Sequence, residues 1–198
     1  IYDNFDHIDY FKRHFERNLI ETERFVEKNV SFKKETVLDT LKSCTNFYLH
    51  YTDDDITSLQ KRYADVITKL TKYIYPEFHK KILYNTNPNS IKVGFVSSFF
   101  YQNVITKLFK NWIIKLDKSL FKTFVYHVGS KKDDITSLIE NNCDNFFHNT
   151  DIDKIIKKIT YDKLDVLIYL DIGMETSTQI LVSLKLAKFQ CAAYGVPV

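Results

Sequence analysis

The chain of 198 residues has few of the residues that bend or cross-link a backbone: four glycines, three prolines and three cysteines. The cysteines are far apart, odd in number and form no C-x-x-C pair, which argues against a disulfide framework and for a reducing, cytoplasmic compartment. There is no signal peptide, and no apolar run approaches the roughly 18 residues that a membrane span needs. We therefore expect no membrane partner.

A strong excess of one charge is also missing. Lys and Arg number 28 against 25 Asp and Glu, so the net charge of +3 does not favour nucleic acid as a partner. No H-E-x-x-H motif or Cys/His cluster predicts a metal, and neither a G-x-G-x-x-G motif nor a P-loop is present. Ser97 and Ser98 have no adjacent histidine and no G-x-S-x-G setting, so we do not expect either to be a nucleophile.

The first 90 residues contain no glycine, and residues 1–84 are predicted to be helical throughout. Apolar side chains there recur at spacings of three and four, as in the stripe Phe5, Ile8, Phe11, Phe15 and Leu19. This segment is typical of the end of a helical-repeat region, although no repeat with a period of about 20–50 residues is visible. "NTNPNS", residues 85–90, is predicted to be a linker.

From residue 91 the pattern changes to alternating strands and helices. Strands are predicted at 92–97, 121–128, 145–149, 164–171 and 189–195, and helices at 104–116, 133–142, 151–163 and 176–188. Strict alternation predicts a parallel sheet with right-handed crossovers. Residues 91–198 are therefore expected to form an α/β, Rossmann-like domain that follows the helical segment.

Ligands of open α/β sheets bind beyond the carboxyl ends of the strands. The predicted strands end in Ser97 and Ser98, in Gly129 and Ser130, and in 171–173 and 194–197. Three of the four glycines stand at these ends, where a missing side chain lets a backbone approach a ligand or turn tightly. Asp171 can bind a hydroxyl, act as a base or cap the next turn, and the sequence leaves these roles open.

Several blocks, in this order, resemble one protein family. They are "TNFYLHYTDDDITSLQKRY", then "IKVGFVSSFF" with "KLFKNWIIKLDKSLFKTFVYH", then "KLDVLIYLDIGMETSTQILVSLKLAKFQCAAYGVPV". The first resembles the helical segment that joins tetratricopeptide (TPR) repeats to the catalytic region of the O-GlcNAc transferase-like glycosyltransferases, family GT41. The other blocks resemble the start of that catalytic region, especially in bacterial members, so the resemblance extends over essentially the whole chain.

The resemblance implies the N-terminal lobe of a GT-B enzyme, ending before the second lobe that carries most of the donor pocket in this family. It implies inverting transfer of a sugar from a nucleotide donor, typically UDP-GlcNAc, to Ser or Thr of an acceptor protein, with no metal or other cofactor. The lobe alone is expected to be inactive. The expected substrate-binding residues come from two sources: Ser97, Ser98, Asp171 and Gly173 from the strand ends, and Asn145, Tyr194, Gly195 and Pro197 from the resemblance.

The chain departs from the family at its histidines. The loop after the first strand of the lobe commonly carries a histidine that faces acceptor and donor, and Asn103 takes that position as the candidate catalytic residue. A second family histidine aligns with Asn145, while Tyr194 and Val196 replace a tryptophan and a third histidine. A histidine can accept a proton near neutral pH, whereas an asparagine amide cannot. Asn103 is also a favourable N-cap for the next helix, and the two roles can coexist.

Two further classes stay open. A non-catalytic, degenerate binding module would account for Asn103 and Asn145 in place of histidine. A Rossmann-like domain of another nucleotide-sugar enzyme, such as an epimerase, would be favoured by a second lobe of that class.

Overall fold

The computed structural model describes residues 5–28, 31–43, 45–51, 54–80, 82, 84 and 90–193. The helical start that the sequence predicts is confirmed. It contains the α-helices α1 (Phe5–Lys28), α2 (Lys34–Ser43) and α3 (Thr57–Ile74), together with the short 3-10 helices Phe47–Tyr51 and Pro76–His79. Most of the predicted linker, 85–90, lies outside the described residues. Within the described ranges, no helix has both the length and the apolar character of a membrane span.

The second part is the predicted α/β unit. Its strands are β1 (Ile91–Ser97), β2 (Phe121–His127), β3 (Asn145–His148), β4 (Val166–Tyr169) and β5 (Phe189–Ala192). Its helices are α4 (Val104–Ile114), α5 (Asp134–Asn142), α6 (Ile152–Asp162) and α7 (Thr176–Val182). All strand pairs are parallel, in the order β3-β2-β1-β4-β5, so the Rossmann-like prediction is confirmed.

Strand side chains alternate between two apolar cores, one on each face of the sheet. On one face, Phe95 and Val125 pack with Ile105 and Phe109 of α4 and with Ile139 of α5. On the other face, strand residues pack beneath α6 and α7: Val96, Tyr126, Leu167 and Tyr169. Because both faces of these strands are buried, their sequences are nearly continuous apolar runs, as is usual in parallel sheets.

The helical segment packs on the α6–α7 side and shares its core with the α/β unit. Polar contacts join the two parts as well. Asp153, in the first turn of α6, accepts hydrogen bonds from Lys34 Nζ at 2.7 Å and from the Tyr75 hydroxyl at 2.8 Å. The Lys185 backbone N–H donates to the Phe78 carbonyl at 2.6 Å. The helical segment and the α/β unit therefore share a continuous apolar core.

Several elements differ in extent from the sequence prediction, among them β4, α7 and α4. β4 is shorter than 164–171, although the Asp165 and Leu170 backbone N–H groups still donate to β1 carbonyls at 3.0 and 3.1 Å. α7 ends at Val182 instead of 188, because Gln190 Oε1 accepts from the backbone N–H groups of Leu186 and Ala187 and holds this stretch as a turn. α4 ends two residues before the predicted position.

Candidate functional site

The candidate site lies where the connections of the sheet change direction, between β1 and β4. From β1 the chain runs through α4 to β2, and from β4 it runs through α7 to β5 on the other side. The loops 98–103 and 170–175 therefore diverge at the carboxyl edge of the sheet. This is the place where open α/β sheets bind ligands.

Asp171, at the end of β4, connects the two loops. Its side chain is completely buried, and Oδ2 accepts a hydrogen bond from the Ser98 backbone N–H at 2.9 Å. Its Oδ1 is buried and has no hydrogen-bond partner among the described residues. The carboxyl group thus holds the β1 loop from below and does not cap its own turn, where the Met174 N–H donates to the Asp171 main-chain carbonyl at 3.1 Å.

Burial raises the pKa of Asp171 to about 7, because a desolvated carboxylate loses its hydration. The hydrogen bond from Ser98 opposes this rise, and the negative charge of Glu175 adds to it. Asp171 therefore titrates in the neutral pH range. A carboxyl group with this pKa can hold or release a proton at physiological pH, which makes the position a candidate functional group.

Both serines of the β1 loop use their hydroxyls inside the protein. Ser97 Oγ accepts from the Phe99 backbone N–H at 2.9 Å, and Ser98 Oγ donates to Glu175 Oε2 at 2.8 Å. Glu175 also caps α7 by accepting from the backbone N–H groups of Ser177 and Thr178, at 2.8 and 3.3 Å. The side chains that join the two loops are therefore Ser98, Asp171 and Glu175.

Gly173 forms the turn of the β4 loop. Its φ of 79° lies in the left-handed region, where a side chain would add strain. The turn places Glu175 back beside the sheet, with an isolated parallel bridge between Ile172 and Glu175. The predicted site residues Ser97, Ser98, Asp171 and Gly173 are thus brought together at one edge of the sheet.

Asn103 begins α4 at the outer end of the β1 loop. Its backbone is extended, with φ at −150°, and its Oδ1 accepts from the Ile105 backbone N–H at 3.0 Å. The predicted N-cap is therefore present. Because the side chain is only partly buried and its oxygen is engaged, the Nδ2 amide is the part of Asn103 that can meet a ligand.

The middle of the β1 loop is fixed by α5. Asp133 Oδ2 accepts from the Gln102 backbone N–H at 2.7 Å, while Asp133 Oδ1 caps α5. The hydrogen bond from Gln102 and those at the cap lower the pKa of Asp133. Thr136 Oγ1 donates to the Phe100 carbonyl at 2.5 Å, and Thr106 Oγ1 donates to the Phe99 carbonyl. These hydrogen bonds hold the loop against α4 and α5.

The end of β2 supports the same loop from the other side. An added Cβ on Gly129 would stand well under 3.0 Å from the Ser98 carbonyl oxygen, so this close approach requires glycine. His127 is completely buried, with Nε2 at 2.8 Å from the Lys131 carbonyl oxygen and Nδ1 at 3.3 Å from that of Ser97. Burial lowers the pKa of His127. His148 Nε2 lies 2.8 Å from the Gly129 carbonyl oxygen, so both histidines hold main-chain groups.

One other predicted site residue, Asn145, is not part of this group. Asn145 is exposed at the first position of β3, paired in register with Phe124, and therefore lies at the amino end of an edge strand. Tyr194, Gly195 and Pro197 lie outside the described residues. Among the residues that are described, no group of three or more His, Cys, Asp or Glu side chains is placed to hold a metal ion.

Sequence reasoning missed Glu175 and Asp133 as site-forming residues. Each directly precedes a predicted helix or begins it, so a cap was the available signal, but a cap does not reveal that the same carboxylate also reaches the β1 loop. Glu175 is also an uncommon N-cap, since Ser, Thr, Asp and Asn are preferred there. The contacts of Glu175 and Asp133 with the β1 loop depend on the order of the strands in the sheet, and no local sequence pattern determines that order.

Comparison with known proteins shows similarity at the level of structure. No protein-family model matches the chain, and no curated protein matches its sequence. A solved structure of a point mutant of the Thermobaculum terrenum O-GlcNAc transferase matches with a TM-score of 0.60 over 90% of this chain, at 12% sequence identity. The match spans 34% of that chain, so the present chain corresponds to about a third of it. At this identity the likeness establishes the fold alone, a glycosyltransferase-like one of the GT-B kind.

Proposed function

We propose that this chain is the N-terminal lobe, with its helical lead-in, of an O-GlcNAc transferase-like protein glycosyltransferase of family GT41. The observation that carries the proposal is the edge between β1 and β4, where Ser98, Asp171 and Glu175 fix two loops around the switch point of a fold shared with an O-GlcNAc transferase. The ordered sequence blocks support the same family. The helical lead-in packs against this lobe, as a segment joining TPR repeats to a catalytic region should.

The reaction is the direct, inverting transfer of a sugar, with UDP-GlcNAc as the expected donor, to Ser or Thr of an acceptor protein. The acceptor oxygen bonds to the anomeric carbon while the bond from that carbon to the diphosphate oxygen breaks, and the acceptor proton leaves to a base. In this proposal the lobe contributes one wall of the cleft and the second lobe contributes most of the donor pocket. Asn103 orients a hydroxyl or phosphate oxygen through Nδ2, since its amide cannot take up a proton.

A non-catalytic binding module is the second candidate. It is favoured by the amide of Asn103 at the position of a family histidine, with its oxygen already engaged by the Ile105 N–H. Loss of an acid–base group commonly lowers a rate by about 10²–10⁴. A protein with this change can keep its donor affinity and lose turnover.

The test uses the complete natural protein, of which residues 1–198 are compared as a separate sample. UDP-GlcNAc binding is measured by calorimetry, and sugar transfer to acceptor peptides is measured by mass spectrometry. The enzyme proposal predicts donor binding with slow transfer, faster transfer in Asn103→His, and no turnover by residues 1–198 alone. Donor binding without transfer in either form supports the binding module. Full turnover by residues 1–198, or no donor binding by the complete protein, overturns the proposal.

A further inference from the structure

On one face of the sheet, the side chains become more exposed from β1 through β4 to β5. On the face that carries α4 and α5, Phe95 of β1 is 1% exposed. Its neighbour in register on β4, Ile168, is only partly buried, and the next one, Cys191 of β5, is exposed. A second row shows the same trend: Val93, Val166 and Phe189.

The opposite face of the same strand is fully covered. Leu167 and Tyr169 of β4 are both 0% exposed beneath the α6–α7 layer. Of the helices that the structure describes, only α4 and α5 contribute buried residues to the other core. Because parallel sheets are normally covered by helices on both faces, the β4–β5 half is, within the described residues, without a helical layer on the α4 side.

The flank of α4 beside this gap is apolar and exposed. Val104, Leu108 and Trp112, spaced four residues apart on α4, are 68%, 54% and 48% exposed, whereas the sheet-facing side of the helix is buried. α5 joins β2 to β3 and packs on the β2 side of α4, so the free flank is the one toward β4. The flank of α4 and the partly exposed faces of β4 and β5 meet as a step: Leu108 and Trp112 form its side, and Val166, Ile168 and Cys191 form its base.

The rim of this step is basic. Lys107 precedes Leu108 on the exposed side of α4, the C-cap of the helix is Lys115, and no acidic residue lies between Val104 and Ile114. On the far side, Lys188 Nζ lies 5.9 Å from the centroid of the Phe189 ring. A partner with carboxylates beside an apolar stripe complements this charge.

We propose that this step, the β4–β5 face formed by Leu108, Trp112, Val166, Ile168 and Cys191, docks an amphipathic α-helix whose apolar stripe is flanked by Asp and Glu. A helix about 10 Å across fills a gap one helix layer deep and restores the missing cover. A flat bilayer would reach Trp112 but not Ile168, at the bottom of the step. A second copy of this chain would bring two basic rims together, and a strand added to the edge of β5 would leave Ile168 uncovered.

The exposed thiol of Cys191 reports on occupancy. The 198-residue protein is alkylated with iodoacetamide, and the modification of each cysteine is followed by peptide mass spectrometry, with the half-buried Cys143 as internal reference. The probe is a synthetic helical peptide with a Leu stripe flanked by Glu, and the matched control carries Lys in place of each Glu. We expect the Glu peptide to slow Cys191 alkylation saturably, by about tenfold near saturation, with no effect from the Lys peptide.

Variants on α4 assign the effect to this face. Leu108→Asp and Trp112→Asp alter exposed side chains and should abolish the protection while the protein stays folded by circular dichroism. Leu138→Asp, at a 40% exposed position on α5, should leave it unchanged. No protection by the Glu peptide, equal protection by both peptides, or protection that survives Trp112→Asp overturns the proposal. So does protection by phosphatidylserine vesicles alone, which indicates a bilayer, or by raised protein concentration alone, which indicates self-association.

Discussion

The backbone N–H of Ser98 lies 2.9 Å from Oδ2 of Asp171, a residue 73 positions away in the sequence. The hydroxyl of the same serine lies 2.8 Å from Oε2 of Glu175. One residue of the β1 loop is therefore held by two carboxyl groups of the β4 loop. The arrangement of the β1 and β4 loops consequently depends on both of these acids.

Asp171 should make the stability of the protein fall as the pH rises. Its pKa is about 7 in the folded protein against an ordinary value of 3.8, so the folded state binds the proton more tightly than the unfolded chain. The contribution is therefore complete below about pH 4 and is lost as the pH rises through 7. Its upper limit is roughly 4 kcal/mol of unfolding free energy. Urea unfolding of the wild type at pH 5 and pH 8 measures it.

Asp171→Asn is the matched variant, since the amide oxygen can still accept from the Ser98 N–H and cannot ionise. We expect the difference in unfolding free energy between pH 5 and pH 8 to shrink in this variant, mainly through a gain at pH 8. A pH dependence identical to that of the wild type would show that Asp171 is ionised over the whole range.

Glu175 should couple the cap of α7 to the β1 loop. Glu175→Ala removes two cap hydrogen bonds and leaves the Ser98 hydroxyl without its acceptor, so we expect a loss of about 1–2 kcal/mol of unfolding free energy. A double-mutant cycle with Ser98→Ala should give an interaction energy of at least about 0.5 kcal/mol, because the two side chains are in contact. Additive single effects would mean that the contact contributes nothing.

Much of the α/β unit was predictable because its signals are local. Most strands are short apolar runs that end near Gly, Ser or Asp, and each intervening helix has its own period and cap, as Asn103 has for α4. The strand order was not predictable in this way, since it depends on which apolar faces pack together after folding. The helical period also failed to say which side of α4 is buried: Ile105, Phe109 and Ile113 pack on the sheet, and the stripe through Trp112 does not.

The candidate site was predictable as a place and not as a set of contacts. Sequence placed Ser98 and Asp171 at strand ends, and parallel strands bring such ends to one edge. The hydrogen bonds from Ser98 to Asp171 and Glu175 join residues from distant parts of the chain, and nothing local encodes them. The roles of Asn145 and of 194–197 in binding stay predictions.

Gly129 should tolerate a methyl group much less well than Gly94. A Cβ at Gly129 would meet the main-chain oxygen and carbon of Ser98, which cannot move without displacing the β1 loop. A Cβ at Gly94 would meet side-chain methyls of Leu164 and Leu167 at 2.5 and 2.8 Å, which can rotate. We expect Gly129→Ala to cost about 3 kcal/mol or more and Gly94→Ala about 1–2 kcal/mol. Chemical denaturation of both variants decides this, and the reverse order would contradict the close approach of Gly129 to the Ser98 main chain.

The helical segment should be necessary for a stable lobe. α2 packs against α7, the Ser183 hydroxyl donates to Thr71 Oγ1 at 2.9 Å, and the apolar core runs without a break from α1 to α7. A chain of residues 90–198 would expose apolar surface now covered by α2 and α3, so we expect it to lose cooperative thermal unfolding, which circular dichroism would record. Asp153→Asn is the mild control: it weakens the partly buried contacts to Lys34 and Tyr75, while the amide oxygen can still accept from the Tyr75 hydroxyl. We expect a cost of about 1 kcal/mol or less with cooperativity retained. Residues 90–198 that unfold as cooperatively as the full chain would establish the lobe as independent.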